Sequence, residues 1–260
     1  MKKLLYLALL FGLHSSYCNA ITDTCKKANT AFRTGESLTY VFSYHWGAIW
    51  LSAGEATMTI EASKFDNKPC YHITGLGQTY KSYDWFFKVR DKYETYIDSE
   101  TLLPEKFVRN VDEGGFKIYN NISFKQDEGK AISTSGTYKV PACIQDVISA
   151  IYYLRNTDMN KVQINQTIPI TIFLDDSVYP LYVRYLGKEK IKTDYGEFSC
   201  LKIKPLTVKG TIFSGGEDMV IYISDDENKI PILLSSPIAV GEIRADLSSV
   251  KGLRNTLNGK

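Results

Sequence analysis

The sequence predicts a mainly β fold: a curved antiparallel sheet, as a half-barrel, a barrel-like sheet or a sandwich, with one amphipathic helix. Apolar and polar residues alternate in many short runs, and turn-forming residues separate these runs at intervals of about 8–12 residues. One segment instead repeats its apolar residues every three or four positions. Aromatic residues, 18 of them tyrosine, make up 13% of the chain, and such residues suit half-buried pleated surfaces.

The first two runs predict an antiparallel strand pair. Aromatic side chains occupy every second position of the first run: Tyr40, Phe42, Tyr44 and Trp46. The second run, residues 56–62, alternates in the same way. Side chains that alternate with a period of two residues put all the apolar groups of a strand on one face. One face of this pair should therefore be buried.

Further runs continue the pattern to the end of the chain. Strands are expected over residues 87–93, 116–124, 168–174, 181–185, 198–203, 219–223, 230–234 and 238–247. Glycine and aspartate pairs, such as Gly114-Gly115 and Asp175-Asp176, separate them and are typical of turns. The pattern does not distinguish between a sandwich, a barrel and one strongly curved sheet.

Residues 143–155 break this rhythm and predict the helix. Its apolar residues fall at the spacing of one helical face: Ile144, Val147, Ile148, Ile151 and Tyr152. Asp146 near the start and Arg155 near the end have the charges that helix termini favour. The apolar face must be buried, and the concave side of the sheet is the expected place.

The N-terminus has the three parts of a secretory signal. Lys2 and Lys3 precede an apolar run over residues 4–13, and a small residue, Ala20, precedes the expected cleavage site. Lipidation at Cys18 is less favoured, because Tyr17 stands where lipoprotein signals require a small residue. We therefore expect an exported, periplasmic or envelope-associated protein with a signal peptide over residues 1–20 and a single β-rich domain over residues 21–260.

The charge balance argues against a nucleic-acid partner. The chain has 31 basic and 29 acidic residues. Loss of Lys2 and Lys3 with the signal leaves 29 of each, whereas nucleic-acid binding needs a basic excess or stripe. No apolar run of the mature chain approaches the roughly 20 residues that span a bilayer, so we expect no transmembrane span.

Four cysteines remain after the expected cleavage: Cys25, Cys70, Cys143 and Cys200. An even number in an oxidising compartment predicts at least one disulfide. The sequence leaves all three pairings open, and the alternative for any of these residues is a buried free thiol.

The aromatic face supplies the candidate binding residues. We select Tyr40, Phe42, Tyr44, Trp46, Trp85, Phe87 and Asp91. The side chains are expected to form the core beneath the helix, which is the favoured interpretation, or to line a groove for a lipid or another apolar ligand. Strand parity places Asp91 on the inner face, where a carboxylate needs a partner; Arg109 and Arg155 are the candidates.

No residue pattern predicts a catalytic, metal or cofactor site. The expected mature chain has only two histidines, His45 and His72, too few with Cys70 for a zinc site. Ser199 and Lys202 match a Ser-x-x-Lys pattern, but on a strand they point to opposite faces. The acids at residues 225–227 lie in a predicted turn, where acids usually bond to their own backbone.

The order of several segments resembles the bacterial family called domain of unknown function 3108. The resemblance covers about residues 33–248, and its segments are 35–40, 87–91, 146–155, 198–205, 224–231 and 238–243. It implies an exported envelope protein without established catalytic residues. The layout is similar to the half-barrels of periplasmic lipoprotein carriers, although those carriers have several helices and this chain shows one.

These observations favour a non-catalytic binding or carrier module for an apolar or lipid-like ligand. The alternative is an envelope assembly factor that acts through contacts with other envelope proteins. A glycan-acting hydrolase that uses Asp91 or Asp225 ranks third, because abundant acids are the only feature that supports it.

Overall fold

A computed structural model describes residues 25–46, 49–85, 87–208, 215–238 and 241–259, without the side chains of Trp46 and Ile49. The expected signal peptide, residues 1–20, lies outside the described residues.

Fourteen strands and one α-helix form within the described part of the chain. The strands are β1 (Ser37–Trp46), β2 (Ile49–Phe65), β3 (Lys68–Thr79), β4 (Val89–Asp98), β5 (Pro104–Glu113), β6 (Phe116–Lys125), β7 (Lys130–Ile132), β8 (Thr137–Lys139), β9 (Thr167–Leu174), β10 (Ser177–Thr193), β11 (Gly196–Pro205), β12 (Val220–Ser224), β13 (Pro231–Pro237) and β14 (Glu242–Lys251). The helix, α1 (Val147–Arg155), lies between β8 and β9.

All fourteen strands belong to one antiparallel sheet. The order is β8-β7-β6-β5-β4-β3-β2-β1-β14-β13-β12-β11-β10-β9, so two meanders are joined where β1 pairs with β14. The predicted mainly β fold with a curved antiparallel sheet and one helix is confirmed.

The sheet curves until its two edge regions meet, although β8 and β9 do not pair. Asp176, in the β9–β10 turn, accepts hydrogen bonds from the hydroxyls of Ser133 (2.7 Å) and Ser135, next to β8. The rings of Tyr138 in β8 and Phe173 in β9 lie 5.5 Å apart. Side chains therefore hold the edges together, and the sheet resembles a barrel without a closed hydrogen-bond ladder.

The two ends of this barrel-like sheet differ. At one end, which we call the plugged end, residues 25–35, α1 and residues 252–259 pack against the strands. Phe32, for example, contacts the rings of Tyr71 in β3 and Tyr152 in α1 at 5.1 and 5.0 Å. The opposite end, which we call the tip end, carries the connections β1–β2, β3–β4, β5–β6 and β13–β14.

The helix is shorter at its start than predicted. Residues 143–146 are not helical: Cys143 has a left-handed backbone (φ 61°), and Gln145 forms a parallel bridge to Ile172 in β9. The side chain of Asp146 caps the helix instead of lying within its first turn. The apolar residue Ile144 fits the helical spacing but is buried in the preceding extended segment.

The inner strand β5 and most of the inner strand β3 were not predicted. Gly75 and Gly77 interrupt the apolar alternation of β3, and the charged Arg109 occupies an inward position of β5. Arg109 is only 7% exposed. Its guanidinium donates to Asn120 and Asp175, and these partners offset the cost of burying the charge.

Candidate functional site

The start of α1 is fixed to the sheet by a buried carboxylate. Asp146 accepts from the backbone N–H groups of Ile148 and Ser149, both at 2.8 Å, and from the hydroxyl of Thr95 in β4 at 2.6 Å. Burial raises the pKa of Asp146 from 3.8 to about 6, although these hydrogen bonds favour the ionised form. The cap therefore also anchors the helix over β4.

The end of α1 is fixed by a buried ion pair. The guanidinium of Arg155 donates to both carboxylate oxygens of Glu36 at 2.5 and 2.8 Å, and to the carbonyl of Asn228 at 2.9 Å. The side chains of Arg155 and Glu36 are 2% and 0% exposed. Arg155 thereby joins α1, the segment before β1 and the β12–β13 turn at the plugged end.

A disulfide joins the N-terminal segment to the segment before α1. Cys25 and Cys143 are bonded across 118 residues, which confirms the predicted disulfide and assigns it to this pair. Cys70 and Cys200 are buried free thiols, and burial raises the pKa of both. Lys27 continues the attachment by donating to the hydroxyl of Thr157 at 2.7 Å.

The helix covers only part of the concave face. The deepest cross-strand row consists of Ile60, Ile73, Thr95, Phe107 and Ile122, all at most 2% exposed. The next row, the Gly75 row, still touches the helix: a Cβ at Gly75 would lie 3.8 Å from Ile148 and 2.9 Å from the sulfur of Met58.

The following row toward the tip end, the Gly77 row, crosses seven strands. Its members are Leu247, Tyr40, Ala56, Gly77, Asp91, Val111 and Ile118. A Cβ at Gly77 would meet only the Cβ of Asp91, at 3.8 Å, which is an ordinary van der Waals contact. This row is apolar apart from Asp91 and the Tyr40 hydroxyl, and it has space for a further side chain at Gly77.

The next row combines Phe42 with apolar side chains of the other meander. Phe42 pairs with Ala245 in β14, which in turn pairs with Leu234 in β13. Tyr44, closer to the tip end, pairs with Ile243 and Leu51. Phe42, Tyr44, Leu234 and Ile243 are all half-buried. The tip half of the concave face is therefore apolar, and these four side chains are less deeply buried than the row under α1.

Asp91 is the acidic group on this surface, and neither arginine expected from the sequence contacts it. Arg155 pairs with Glu36, and Arg109 bonds to Asn120 and Asp175. Asp91 instead accepts from the backbone N–H of Asp112 at 3.2 Å and hydrogen-bonds to Glu113. Burial and the neighbouring Glu113 raise the pKa of Asp91 from 3.8 to about 6.

The structure divides the candidate residues into two groups. Tyr40, Phe42, Tyr44 and Asp91 lie on one face, and the hydroxyl of Tyr40 donates to the carbonyl of Pro231 at 3.1 Å. Trp85 and Phe87 lie outside the strands and are 83% and 40% exposed, so the core interpretation is wrong for both. Strand β4 begins at Val89, after Phe87. The side chain of Trp46 lies outside the described residues.

Gly77 is the residue of this surface that the sequence reasoning missed. The signal was present as glycine at two alternate positions of one run, Gly75 and Gly77, because a glycine inside a strand often marks a close approach or an unfilled position.

The described residues show no clustered metal ligands. They contain no group of three or more His, Cys, Asp or Glu side chains placed to hold a metal ion. His72 contacts Glu94 at 3.1 Å and stacks on Tyr96. Asp226 accepts from the backbone N–H of Asn228 at 2.9 Å and from the hydroxyl of Ser224, the turn role expected for these acids.

Two surface cavities of about 260 Å³ each lie away from the Gly77 row. One is lined by Asp158, Met159, Asn160, Leu201, Asp225, Asp226, Glu227, Lys229 and Asn258. The other is lined by Asp66, Lys68, Asp98, Thr101, Leu103, Glu105, Phe124, Lys125, Gln126, Asp127 and Glu128. Charged and amide side chains dominate both, which does not suit an apolar ligand. In the described part of the chain, no helix has the length and apolarity to cross a membrane.

A solved structure shares the architecture, and two others match more weakly. A Brucella abortus protein described as a β-barrel-like protein of domain of unknown function DUF1849 is 11% identical, with a TM-score of 0.56 over 85% of this chain and 99% of that one. A "putative lipoprotein" from Parabacteroides distasonis, also 11% identical, has a TM-score of 0.38 over 87% and 99%. A Bacteroides fragilis "putative exported protein with YmcC-like fold" is 12% identical, with a TM-score of 0.35 over 86% and 99%.

The sequence itself matches a family model. No curated protein matches the chain, but the model of the family described as "Protein of unknown function (DUF3108)" matches residues 39–248. The match extends from β1 to β14 and covers most of the chain. This protein therefore belongs to the DUF3108 family, whose function is unknown.

Proposed function

We propose that this chain is a non-catalytic binding module of the cell envelope that holds an apolar or lipid-like ligand on the tip half of its concave face. The observation that carries the proposal is the space at Gly77 within an apolar row, with the half-buried Phe42 and Tyr44 closer to the tip end. Ligand sites are mostly apolar with a few polar groups, and Asp91 and the Tyr40 hydroxyl supply those groups here.

The filled and unfilled parts of the interior have different roles in this proposal. The rows under α1 are packed and held by the Asp146 cap and the Arg155–Glu36 pair. Packed side chains of this kind hold the residues of a binding site in position without contacting the ligand. We place the site in the periplasm, because the N-terminal sequence has the parts of a secretory signal.

The geometry does not favour the hydrolase alternative. Asp91 and Glu113 hydrogen-bond to each other, whereas the paired carboxyls of glycosidases stand about 5 Å or more apart to accommodate the sugar between them. The role that suits Asp91 is that of a polar contact for the head group of an apolar ligand.

A groove-filling variant tests the proposal. Gly77→Val adds a branched side chain next to Asp91, where the structure has space. We expect the affinity for a dansyl-labelled fatty acid to fall at least about tenfold, with an unchanged melting temperature. The matched control is Gln78→Val, which changes the exposed neighbour on the opposite face of β3.

The proposal fails if the wild-type protein does not bind the labelled fatty acid, or if Gly77→Val binds it as tightly as Gln78→Val does. Organic extraction of the protein purified from an envelope fraction, followed by mass spectrometry, would then identify the natural ligand class.

A further inference from the structure

Large apolar side chains are exposed together at the tip end. Trp50 and Leu51 begin β2, Trp85 and Phe87 lie between β3 and β4, and Phe116 begins β6; they are 45%, 38%, 83%, 40% and 56% exposed. We call these five residues the tip surface. A single exposed apolar residue needs no explanation, but a group confined to one end of a molecule indicates a contact with another apolar phase or partner.

The tip surface spans three neighbouring hairpins. The backbone N–H of Tyr80 donates to Ala53, which connects the β3–β4 segment to β2. The ring of Phe87 lies on the β5–β6 turn, where a Cβ at Gly114 would approach it to 2.6 Å. Six adjacent strands at about 4.8 Å spacing give an arc roughly 24 Å long.

The most exposed charged side chains beside Trp85 are basic. Asp84 is held by Arg90 at 2.7 Å, and Asp112 lies 3.9 Å from Lys117. Lys81 and Lys88, on either side of Trp85, are exposed, and neither forms a salt bridge with any described residue. The free charges therefore complement an anionic surface.

We propose that the tip surface docks this protein on a phospholipid bilayer that contains anionic lipid. Tryptophan and phenylalanine with flanking lysine are the side chains that favour the membrane–water interface. The five apolar side chains come from three different hairpins. A fluid bilayer surrounds each of them individually, whereas a protein partner would need a matching pocket for each. The proposal goes beyond ligand binding, because it concerns the outer tips and not the concave face.

The sequence provides a built-in reporter. All three tryptophans of the chain, Trp46, Trp50 and Trp85, belong to the tip end of the strands or the segment between β3 and β4. Tryptophan emission therefore reports on this end alone. Acyl chains that carry bromine quench tryptophan only on close contact, so quenching distinguishes insertion from loose electrostatic attachment.

The test uses the protein expressed from its full sequence and vesicles of phosphatidylethanolamine and phosphatidylglycerol. We expect the wild-type protein to sediment with the vesicles and to lose tryptophan emission when the lipids are brominated. Trp85→Ser with Phe87→Ser should lower vesicle partitioning at least about tenfold. The control pair, Tyr119→Ser with Ile164→Ser, removes side chains that are 60% and 65% exposed elsewhere and should partition as the wild type does.

Three results would overturn the proposal: wild-type protein that stays in the supernatant, equal partitioning of the tip and control pairs, or a self-associated wild type that the tip substitutions convert to monomer. The outcome is separable from that of ligand binding, because Gly77→Val should leave vesicle partitioning unchanged and the tip substitutions should leave fatty-acid affinity unchanged.

Discussion

Two Arg–Glu pairs in this protein show how burial changes the contribution of the same ion pair to folding stability. Arg155 and Glu36 are almost completely buried, whereas Arg184 and Glu217 are 31% and 27% exposed, with a similar two-pronged geometry. Removing one partner of a buried pair leaves an uncompensated charge in the interior. An exposed pair leaves a charge that water can solvate.

We expect Arg155→Met to lower the free energy of unfolding by about 3–5 kcal/mol, because Glu36 is left buried and unpaired. Arg184→Met should cost much less, because water can solvate the Glu217 carboxylate that this variant leaves without a partner. Urea unfolding of both variants at neutral pH measures the difference. An equal decrease in the free energy of unfolding of both variants would show that the Arg155–Glu36 pair does not attach α1 to the sheet.

Asp91 makes the folding stability of the protein depend on pH. Its folded-state pKa is raised from 3.8 to about 6 by burial and by Glu113, so between these values the native state binds the proton more tightly than the unfolded chain does. The contribution of Asp91 to stability therefore falls as the pH rises from about 4 to about 6. Asp146 has a raised pKa of about 6 and the same sign.

We expect the stability of Asp91→Asn, relative to that of the wild type, to increase as the pH rises through this window. The measurement is urea unfolding of both proteins at several pH values, in which the titration of Asp146 is common to both and cancels. A stability difference that does not change with pH would contradict the raised pKa of Asp91.

At the residue scale, the sequence predicted which face of the sheet a side chain occupies better than it predicted the residues that the side chain contacts. Strand parity placed Asp91 on the face of Tyr40, as the structure has it. The hydrogen-bond partners of Asp91 could not be predicted, because they depend on which strands become neighbours. The exposure of Trp85 was missed for a related reason: the segment after β3 leaves the sheet at a short 3-10 turn (Lys81–Tyr83), and its apolar residues resemble those of a strand.

At the scale of the element, α1 depends on attachments at both ends more than on its own length. Nine residues are too few for a stable isolated helix. The Asp146 cap, the Arg155–Glu36 pair and the disulfide of Cys143 all hold the helix or the segment before it. The spacing of apolar residues predicted the helix, but its start was misplaced because Ile144 continues that spacing in an extended segment.

Reduction of the disulfide should lower the free energy of unfolding by about 4 kcal/mol, because the bond closes a loop of more than 100 residues in the unfolded chain. Unfolding in urea with and without dithiothreitol measures this effect. The double variant Cys25→Ser and Cys143→Ser should be insensitive to dithiothreitol, and Cys200→Ala should keep the full response. A response that survives in the double variant would show that another pair of cysteines carries the stabilisation.

At the scale of the whole molecule, the fold is one long sheet that closes on itself through side chains. Alternation and turn residues predict such a sheet, but they do not specify that β1 pairs with β14, that Asp175 reaches Arg109 in β5, or that Asp176 reaches the segment before β8. These contacts join residues far apart in sequence, and local patterns carry no information about them. The same limit applies to the site, because the Gly77 row exists only after seven strands are in register.

The central claim is that the concave face is filled beneath α1 and available to an apolar ligand beyond it. Photo-crosslinking with a fatty acid that carries a diazirine on its acyl chain, followed by peptide mass spectrometry, tests the claim most directly. We expect crosslinks at Phe42, Tyr44, Ile118 or Leu234, and none at Ile73 or Phe107. Crosslinks at the residues beneath α1, or none on the concave face, would contradict it.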